Sequence, residues 1–205
     1  EIVIETVQDI EHKLSVFKPF TEEDAHELTF RVDVKGSMVA LGVFLKQEMS
    51  QFNQLVSVLK KSAVDLQRAI KGLVVMSAAL DDVFRSAMFN QVPASWAKAA
   101  YPSLKPLGSW VRDLMERLEV TGKWLRQGPP DQFWISGFFF PQGFMTGAKQ
   151  EHSRKTRLPI DTLMFRTEVQ EKWMEDVTEG PSDGVFIYGL YMEGARWDHI
   201  HGHMA

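Results

Sequence analysis

The stretch LKQEMSQFNQLVSVLKKSAVDLQRAIKGL, residues 45–73, carries the strongest periodic pattern in the sequence. Its apolar residues recur at alternating spacings of four and three, and the segment is rich in helix formers and free of proline. The pattern predicts one long helix from about residue 38 to about residue 71, broken at Gly72. The apolar stripe consists of Leu45, Met49, Phe52, Val56, Leu59, Ala63, Leu66, Ile70 and Leu73.

This stripe favours a helix packed within its own domain. The flanking positions do not supply the regular set of opposed charges that a two-chain coiled coil uses. Leu45, Phe52, Leu59 and Leu66 are therefore predicted core residues.

Further helices are predicted on both sides of the long helix. Residues 1–14 place apolar side chains on one helical face, and residues 75–89 are rich in helix formers. A third helical face contains Trp110 and Leu114, which are predicted core residues. The sequence Gly128-Pro129-Pro130 is expected to end that helix, because glycine and proline follow helix ends.

Composition excludes several classes of function. The sequence has 205 residues, 44% of them hydrophobic, and a net charge of −4, so it has no general attraction to nucleic acid. It has no cysteine, which excludes disulfides and thiolate metal sites. No apolar run approaches the roughly 20 residues of a membrane-spanning helix. We expect an intracellular segment of a longer protein, with neither nucleic acid nor membrane as a partner.

The most aromatic stretch is FWISGFFFPQGF, residues 133–144, with six rings in twelve positions. Its rings fall on both odd and even positions, which predicts a strand buried on both faces. Trp134, Phe138, Phe139 and Phe140 are accordingly predicted core residues. A short helix is expected from Pro141, and further strands are expected at residues 163–169 and 184–198.

The glycines of this stretch do not form a phosphate-binding motif. Gly137, Gly143 and Gly147 lack the spacing of a Walker A loop and the following Lys-Ser/Thr, and the dinucleotide fingerprint also fails. A G-x-S-x-G elbow is absent as well. We therefore predict no catalytic residue, no cofactor-binding residue and no cofactor in this segment, which is not expected to be an enzyme.

A metal site is the main alternative in the sequence. His199, His201 and His203 alternate at a spacing of two, so an extended backbone would place three imidazoles on one face. An exposed loop is favoured, because Asp198 is the only carboxylate close in sequence, and no metal ligand is predicted. The alternative function is a free-standing small-molecule or metal-binding enzyme domain that uses the aromatic stretch and these histidines.

Two short basic patches stand out from the acidic background. Lys60-Lys61 lie within the long predicted helix, and HSRKTR occupies residues 152–157. Because the sequence as a whole is acidic, these patches suit an acidic protein surface better than nucleic acid.

Four stretches together resemble the C-terminal region of dynein heavy chains. They are DLQRAIKGLVVMSAALDDVF (65–84), VPASWAKAAYPSLKPLGSWVRDL (92–114), GPPDQFWISGFFFPQGFMTGAKQ (128–150) and GLYMEGARWD (189–198). They follow the order and approximate spacing of that family, and the resemblance covers about residues 40–198. FWISGFFFPQGF and EGARWD are similar to the axonemal heavy chains rather than to the cytoplasmic ones.

The resemblance implies a function that the local chemistry does not. It implies a domain that lies across one face of the AAA+ ring of the same heavy chain and tunes motor output. ATP and magnesium would be bound elsewhere in that parent chain. Microtubules and the dynein intermediate and light chains would be partners of the parent complex. The resemblance implies that the parent motor moves toward microtubule minus ends in the axoneme of cilia or flagella. The expected location is therefore the cytoplasm and cytoskeleton.

The sequence and the resemblance together predict an α+β fold. A helical layer with one long helix is expected to precede a mixed, mainly antiparallel, barrel-like β half. Residues 1–37 are expected to be the end of the last AAA+ module and a connector. Residues 38–128 would form the helical subdomain and residues 129–205 the β-rich one. Members of the family continue beyond the GARWD segment, so the β half is expected to be incomplete.

Overall fold

The computed structural model describes residues 2–32, 38–170, 173–190, 197–198 and 203–204. The chain divides into two units. The first unit consists of Glu1–Ala25 and Lys46–Arg126, and the second consists of His26–Leu45 and Gln127–Ala205. Buried apolar side chains occur in both units.

Most of the regular structure in the described residues is helical. The α-helices are α1 (Ile2–Ser15), α2 (Ala40–Ile70), α3 (Ala78–Met88), α4 (Ala94–Ala99), α5 (Leu107–Gln127) and α6 (Pro141–Thr156). Short 3₁₀ turns occupy Glu22–Asp24, Ile135–Gly137, Ile160–Thr162 and Met174–Asp176. The long helix predicted over residues 38–71 is confirmed as α2.

Helix α2 ends where the sequence places its glycine. Gly72 has a φ of +71°, a left-handed conformation that glycine adopts without strain. The amide of Gly72 donates to the carbonyl of Ala69, and the amide of Leu73 donates to that of Arg68, both at 2.9 Å. These two bonds form a Schellman cap. The burial of the apolar stripe also ends with the helix, because Leu73, its last predicted member, is 68% exposed.

The first unit buries one face each of α1 and α2. Helix α1 buries Val3, Val7, Ile10 and Leu14. From Lys46 onward, α2 buries Met49, Phe52, Leu55, Val56, Leu59, Ala63 and Leu66. The side chain of Gln67 on α2 donates a hydrogen bond to that of Glu11 on α1. This apolar periodicity accounts for both helices.

A short segment after α1, residues 16–21, is hydrogen-bonded to α2 and is here named the strap. The backbone of Phe20 is held by Asn53 of α2 at both of its polar groups. The amide of Phe20 donates to Asn53 Oδ1 at 2.8 Å, and Asn53 Nδ2 donates to the carbonyl of Phe20 at 2.9 Å. Lys60 Nζ donates to the carbonyl of Phe17 at 2.9 Å. The strap is therefore tied to α2 at two points.

Aromatic side chains join α4 and α5 within the first unit. The rings of Trp96 and Trp110 stack with centroids 6.1 Å apart, and both side chains are 1% exposed. The indole Nε1 of Trp96 donates to Ser62 Oγ on α2 at 2.8 Å, so its buried donor is satisfied. Helix α5 ends at Gln127, and Gly128 follows with a φ of +93°. The predicted stop at residues 128–130 is confirmed.

The second unit contains short strands. Strand β1 (Gln132–Trp134) pairs in parallel with β2 (Phe186–Tyr188), in the register Gln132 to Phe186, Phe133 to Ile187 and Trp134 to Tyr188. Strand β3 (Trp197–Asp198) pairs antiparallel with β4 (His203–Met204). Helix α6 begins at Pro141, as predicted.

The predicted mainly antiparallel, barrel-like β half is wrong. In the described part of residues 129–205, the longest element is α6, and the sheet pairs have two strands each, the longer pair being parallel. The aromatic run leaves the extended conformation after Trp134 and turns into a 3₁₀ helix at Ile135–Gly137. The strand predicted at residues 163–169 is also wrong, since no strand forms there and Met164 is 93% exposed.

Candidate functional site

The aromatic stretch forms a closed cluster in the second unit. Phe144 of α6 is fully buried, and its ring lies 4.7 Å from Phe133, 5.2 Å from Phe138 and 5.7 Å from Phe44, between centroids. Phe44 and Phe138 meet edge to face at 5.0 Å. These four rings, here named the ring cluster, gain both apolar burial and favourable ring geometry. All four rings are buried and contribute to the core of the second unit.

The ten residues predicted to form the core differ in burial. Trp134 and Phe139 are half-buried, and Phe140 is 43% exposed at the start of α6. The expectation that Phe140 lies in the core is therefore wrong, because the backbone turns into α6 there instead of continuing as a two-faced strand. The buried members are Leu45, Phe52, Leu59, Leu66, Trp110, Leu114 and Phe138.

The glycines of the second unit permit close packing around Trp134. A Cβ atom on Gly137 would lie 2.6 Å from Trp134 Cε3, and one on Gly189 would lie 2.7 Å from Trp134 Cδ1. Gly189 also has a φ of +69°. A Cβ on Gly147 would contact Leu41 at 3.3 Å. Each of these glycines therefore leaves space that a neighbouring side chain occupies.

The metal-binding alternative depends on three histidines at residues 199–203. The side chains of His199, His201 and His203 all lie outside the described residues. Among the residues that the structure describes, no group of three His, Cys, Asp or Glu side chains is placed to hold a metal ion. Within the same ranges, no helix has the length and apolar character needed to cross a membrane.

A buried ion cluster in the first unit was not predicted. The carboxylate of Asp113 on α5 accepts a hydrogen bond from Arg117 Nε at 2.7 Å and another from Lys105 Nζ at 2.5 Å. The guanidinium of Arg117 lies 3.7 Å from the centroid of the Tyr101 ring, a cation–π contact. Asp113, Arg117 and Tyr101 are each less than 9% exposed. The signal in the sequence was the spacing of four between Asp113 and Arg117 on an apolar helix face.

The electrostatics of this cluster follow from its contacts. Burial tends to raise the pKa of Asp113, but the hydrogen bonds from Lys105 and Arg117 outweigh it, so the pKa of this carboxyl lies below its usual value. Burial raises the pKa of the Tyr101 hydroxyl, and the charge of Arg117 opposes that rise. Tyr101 and Asp113 are therefore held neutral and ionised, respectively, at neutral pH. Such a cluster orients α5 and the preceding segment.

A groove opens on the first unit between the strap and α2. Phe17 and Pro19 of the strap form one side, and Val56, Lys60 and Lys61 of α2 form the other. Its volume is about 320 Å³. The ring of Phe17 meets that of Phe20 edge to face at 4.9 Å, which fixes the wall that the strap contributes.

The second unit carries an exposed apolar segment, described at residues 158–170 and at Trp173. Its most exposed large side chains are Met164 at 93% and Trp173 at 77%. Leu158, Phe165 and Val169 are about half exposed, at 48%, 52% and 50%. A concentration of exposed apolar side chains in one segment is typical of a surface that contacts another macromolecule.

The sequence matches the family model that describes the C-terminal domain of the dynein heavy chain, over residues 1–205. It is 41% identical over 218 residues to Dynein axonemal heavy chain 6 of Homo sapiens, covering 97% of this chain and 5% of that protein. Its identity to Dynein axonemal heavy chain 3 of Mus musculus is 46% over 200 residues, with the same two shares of 97% and 5%.

A third relative is a flagellar heavy chain. The sequence is 47% identical over 163 residues to the Dynein-1-beta heavy chain of the flagellar inner arm I1 complex of Chlamydomonas reinhardtii, covering 80% of this chain and 4% of that protein. The chain covers 5%, 5% and 4% of these three relatives, which is about one twentieth of their length.

Proposed function

This chain belongs to the family of C-terminal domains found in dynein heavy chains, and we propose that it serves as the non-catalytic C-terminal domain of an axonemal dynein heavy chain. The observation that carries the proposal is the match to that family over the whole of residues 1–205. Identities of 41–47% to axonemal relatives support the axonemal assignment.

The parent heavy chain would be an ATP-driven motor of the ciliary or flagellar axoneme. In this proposal it moves toward microtubule minus ends, and ATP and magnesium are bound in parts of the heavy chain beyond this segment. The names of the relatives, which include axonemal and flagellar heavy chains, support this location. Microtubules and the intermediate and light chains would be reached through the parent complex.

The domain's own partner would be the AAA+ ring of the same heavy chain. We assign residues 1–37 to the end of the last AAA+ module and a connector, and residues 38–128 to the layer that docks on the ring. Residues 129–205 form the remaining subdomain in this assignment. The exposed apolar segment at residues 158–170 and Trp173 supports an interacting role, because such side chains are usually covered in an assembly.

A truncation of the heavy chain tests the proposal. The complete heavy chain is compared with one that lacks residues 38–205, for ring assembly by electron microscopy, ATP hydrolysis and microtubule gliding. We expect the truncated motor to assemble its ring and hydrolyse ATP, with altered gliding velocity or force. A fully assembled ring that has lost all nucleotide hydrolysis would contradict the non-catalytic role. Unchanged gliding and force would contradict the tuning role.

A further inference from the structure

The groove between the strap and α2 has one wall that hydrogen bonds hold in place and another that a regular helix supplies. Its strap wall is fixed, because Asn53 holds both backbone polar groups of Phe20 and Lys60 holds the carbonyl of Phe17. The α2 wall consists of residues spaced at three, four and seven along the helix, so Asn53, Val56, Lys60 and their neighbours share one face. Its volume of about 320 Å³ lies at the lower end of small-ligand sites and suits one or two side chains.

The lining of the groove combines an apolar floor with positive charge. Phe17, Pro19 and Val56 supply the apolar surface, and Lys60 and Lys61 supply two ammonium groups, with no carboxylate in the lining. Lys60 lies 5.8 Å from the centroid of the Phe17 ring, so this cation and the apolar wall are adjacent. Within the described part of the chain, neither lysine forms an ion pair with a carboxylate.

We propose that this groove binds an acidic peptide segment of a partner protein. An apolar side chain of that segment packs on Phe17 and Pro19, over the buried Val56, and its flanking carboxylates pair with Lys60 and Lys61. Charge complementarity selects this occupant, because a lining with two cations and no anion attracts carboxylates and repels basic segments. The exposed Lys18 of the strap adds to the same positive field.

A peptide is favoured over nucleic acid as the occupant. The net charge of the protein is −4, so a negatively charged phosphate backbone that extends past the groove would be repelled by the rest of the protein. A short acidic peptide needs only the local field of the groove. This site goes beyond the proposed role on the ring, and a failure of peptide binding would leave that role untouched.

The test uses the complete 205-residue chain and a fluorescein-labelled peptide. The peptide has a central phenylalanine with three glutamates on each side, and its binding is followed by fluorescence anisotropy. We expect saturable binding with a Kd below about 1 mM. It should weaken about tenfold between about 50 mM and about 500 mM NaCl, because exposed ion pairs are screened by salt.

Two variants locate the binding to the groove. Lys61→Glu reverses an exposed charge and should weaken binding about fivefold to tenfold. Ser57→Trp places a large side chain at the exposed rim of the groove and should weaken it at least about tenfold. Lys98→Glu and Ser95→Trp, at exposed positions of α4, are matched controls that should stay within about twofold.

Several results would overturn the proposal. One is an absence of saturation at peptide concentrations up to about 1 mM. A second is equal binding of a peptide whose glutamates are replaced by lysines. A third is wild-type affinity in both Lys61→Glu and Ser57→Trp, each checked for folding by circular dichroism. Tighter binding of a single-stranded oligonucleotide, lost in the same two variants, would assign the groove to phosphate instead.

Discussion

The two units bury their side chains in different ways. In the first unit, helical stripes on α1, α2 and α5 supply the core, and a buried ion cluster around Asp113 lies among them. In the second unit, four phenylalanine rings meet from α2, β1, α6 and the segment just before α6, and glycines leave space for Trp134. The first unit buries periodic helical stripes, whereas the second gathers four rings around Phe144.

This difference indicates where single substitutions should act most strongly. A long stripe spreads its burial over many residues, so the loss of one side chain removes a small share of the total. A cluster of four rings concentrates burial in a few residues. Substitutions in the 205-residue chain can therefore compare the two kinds of core directly.

Phe144→Ala should have the largest effect. Phe144 is fully buried and contacts Phe44, Phe133 and Phe138, so its removal leaves a cavity at the centre of the ring cluster. We expect a loss of about 3–5 kcal/mol in the free energy of opening of α6, measured by amide hydrogen exchange.

Phe140→Ala is the matched control for the ring cluster. Phe140 is 43% exposed, and its truncation should cost under about 1 kcal/mol in the same measurement. Equal losses of opening free energy in the two variants would contradict this view, because a buried ring of the cluster would then stabilise α6 no more than an exposed ring does.

Asp113→Asn should have the next largest effect, in the first unit. The variant leaves Arg117 buried beside a neutral amide, and we expect a loss of about 3 kcal/mol in the free energy of unfolding at pH 7. The measurement is urea denaturation followed by circular dichroism. Asp81→Asn, which breaks an exposed pair with Arg85, should cost under about 1 kcal/mol.

The effect of Asp113 should also depend on pH. Its folded-state pKa is lowered, so its contribution is complete above the unfolded pKa of about 3.9 and is lost as the pH falls through the folded pKa. The difference in unfolding free energy between the wild type and Asp113→Asn should therefore narrow below about pH 4. A constant difference down to strongly acid pH would show that the carboxylate charge contributes nothing.

Gly189→Ala should have the smallest effect of the three. Gly189 has a φ of +69°, and a Cβ there would lie 2.7 Å from Trp134 Cδ1, so both backbone strain and overlap are expected. The cost should be about 1–3 kcal/mol in thermal or urea unfolding. Gly180→Ala is the control, since nothing lies within 4 Å of its Cβ position, and it should stay within about 0.5 kcal/mol. Equal costs would remove the packing explanation of Gly189.

Local sequence signals predicted the elements that depend on local physics. The stripe from Leu45 predicted α2, the Gly-Pro-Pro sequence predicted the end of α5, and Pro141 predicted the start of α6. Periodic burial, helix caps and the fixed φ of proline are properties of neighbouring residues along the backbone. A single sequence therefore contains the information for them.

The ring cluster could not be predicted in the same way. The parity of rings in residues 133–140 indicates two buried faces only if the backbone stays extended, and the backbone instead turns at Ile135–Gly137. That turn brings Phe138 against Phe44, a contact between residues far apart in sequence. Tertiary contacts of this kind override β propensity.

The ion cluster was missed for a related reason. Asp113 and Arg117 have the spacing of an ordinary exposed helix pair, and only the folded structure shows that Tyr101 covers them. Lys105 and Tyr101 lie in a segment without helical or strand periodicity. Neither residue could therefore be placed from the pattern.

The attachment of the strap to α2 depends on the chemistry of one amide. The side chain of Asn53 offers a donor and an acceptor to Phe20, much as a neighbouring β-strand would offer its backbone. Deamidation of Asn53 to aspartate would keep the acceptor but set a second oxygen against the carbonyl of Phe20. Chemical ageing at this single position would thus loosen the strap and with it one wall of the groove.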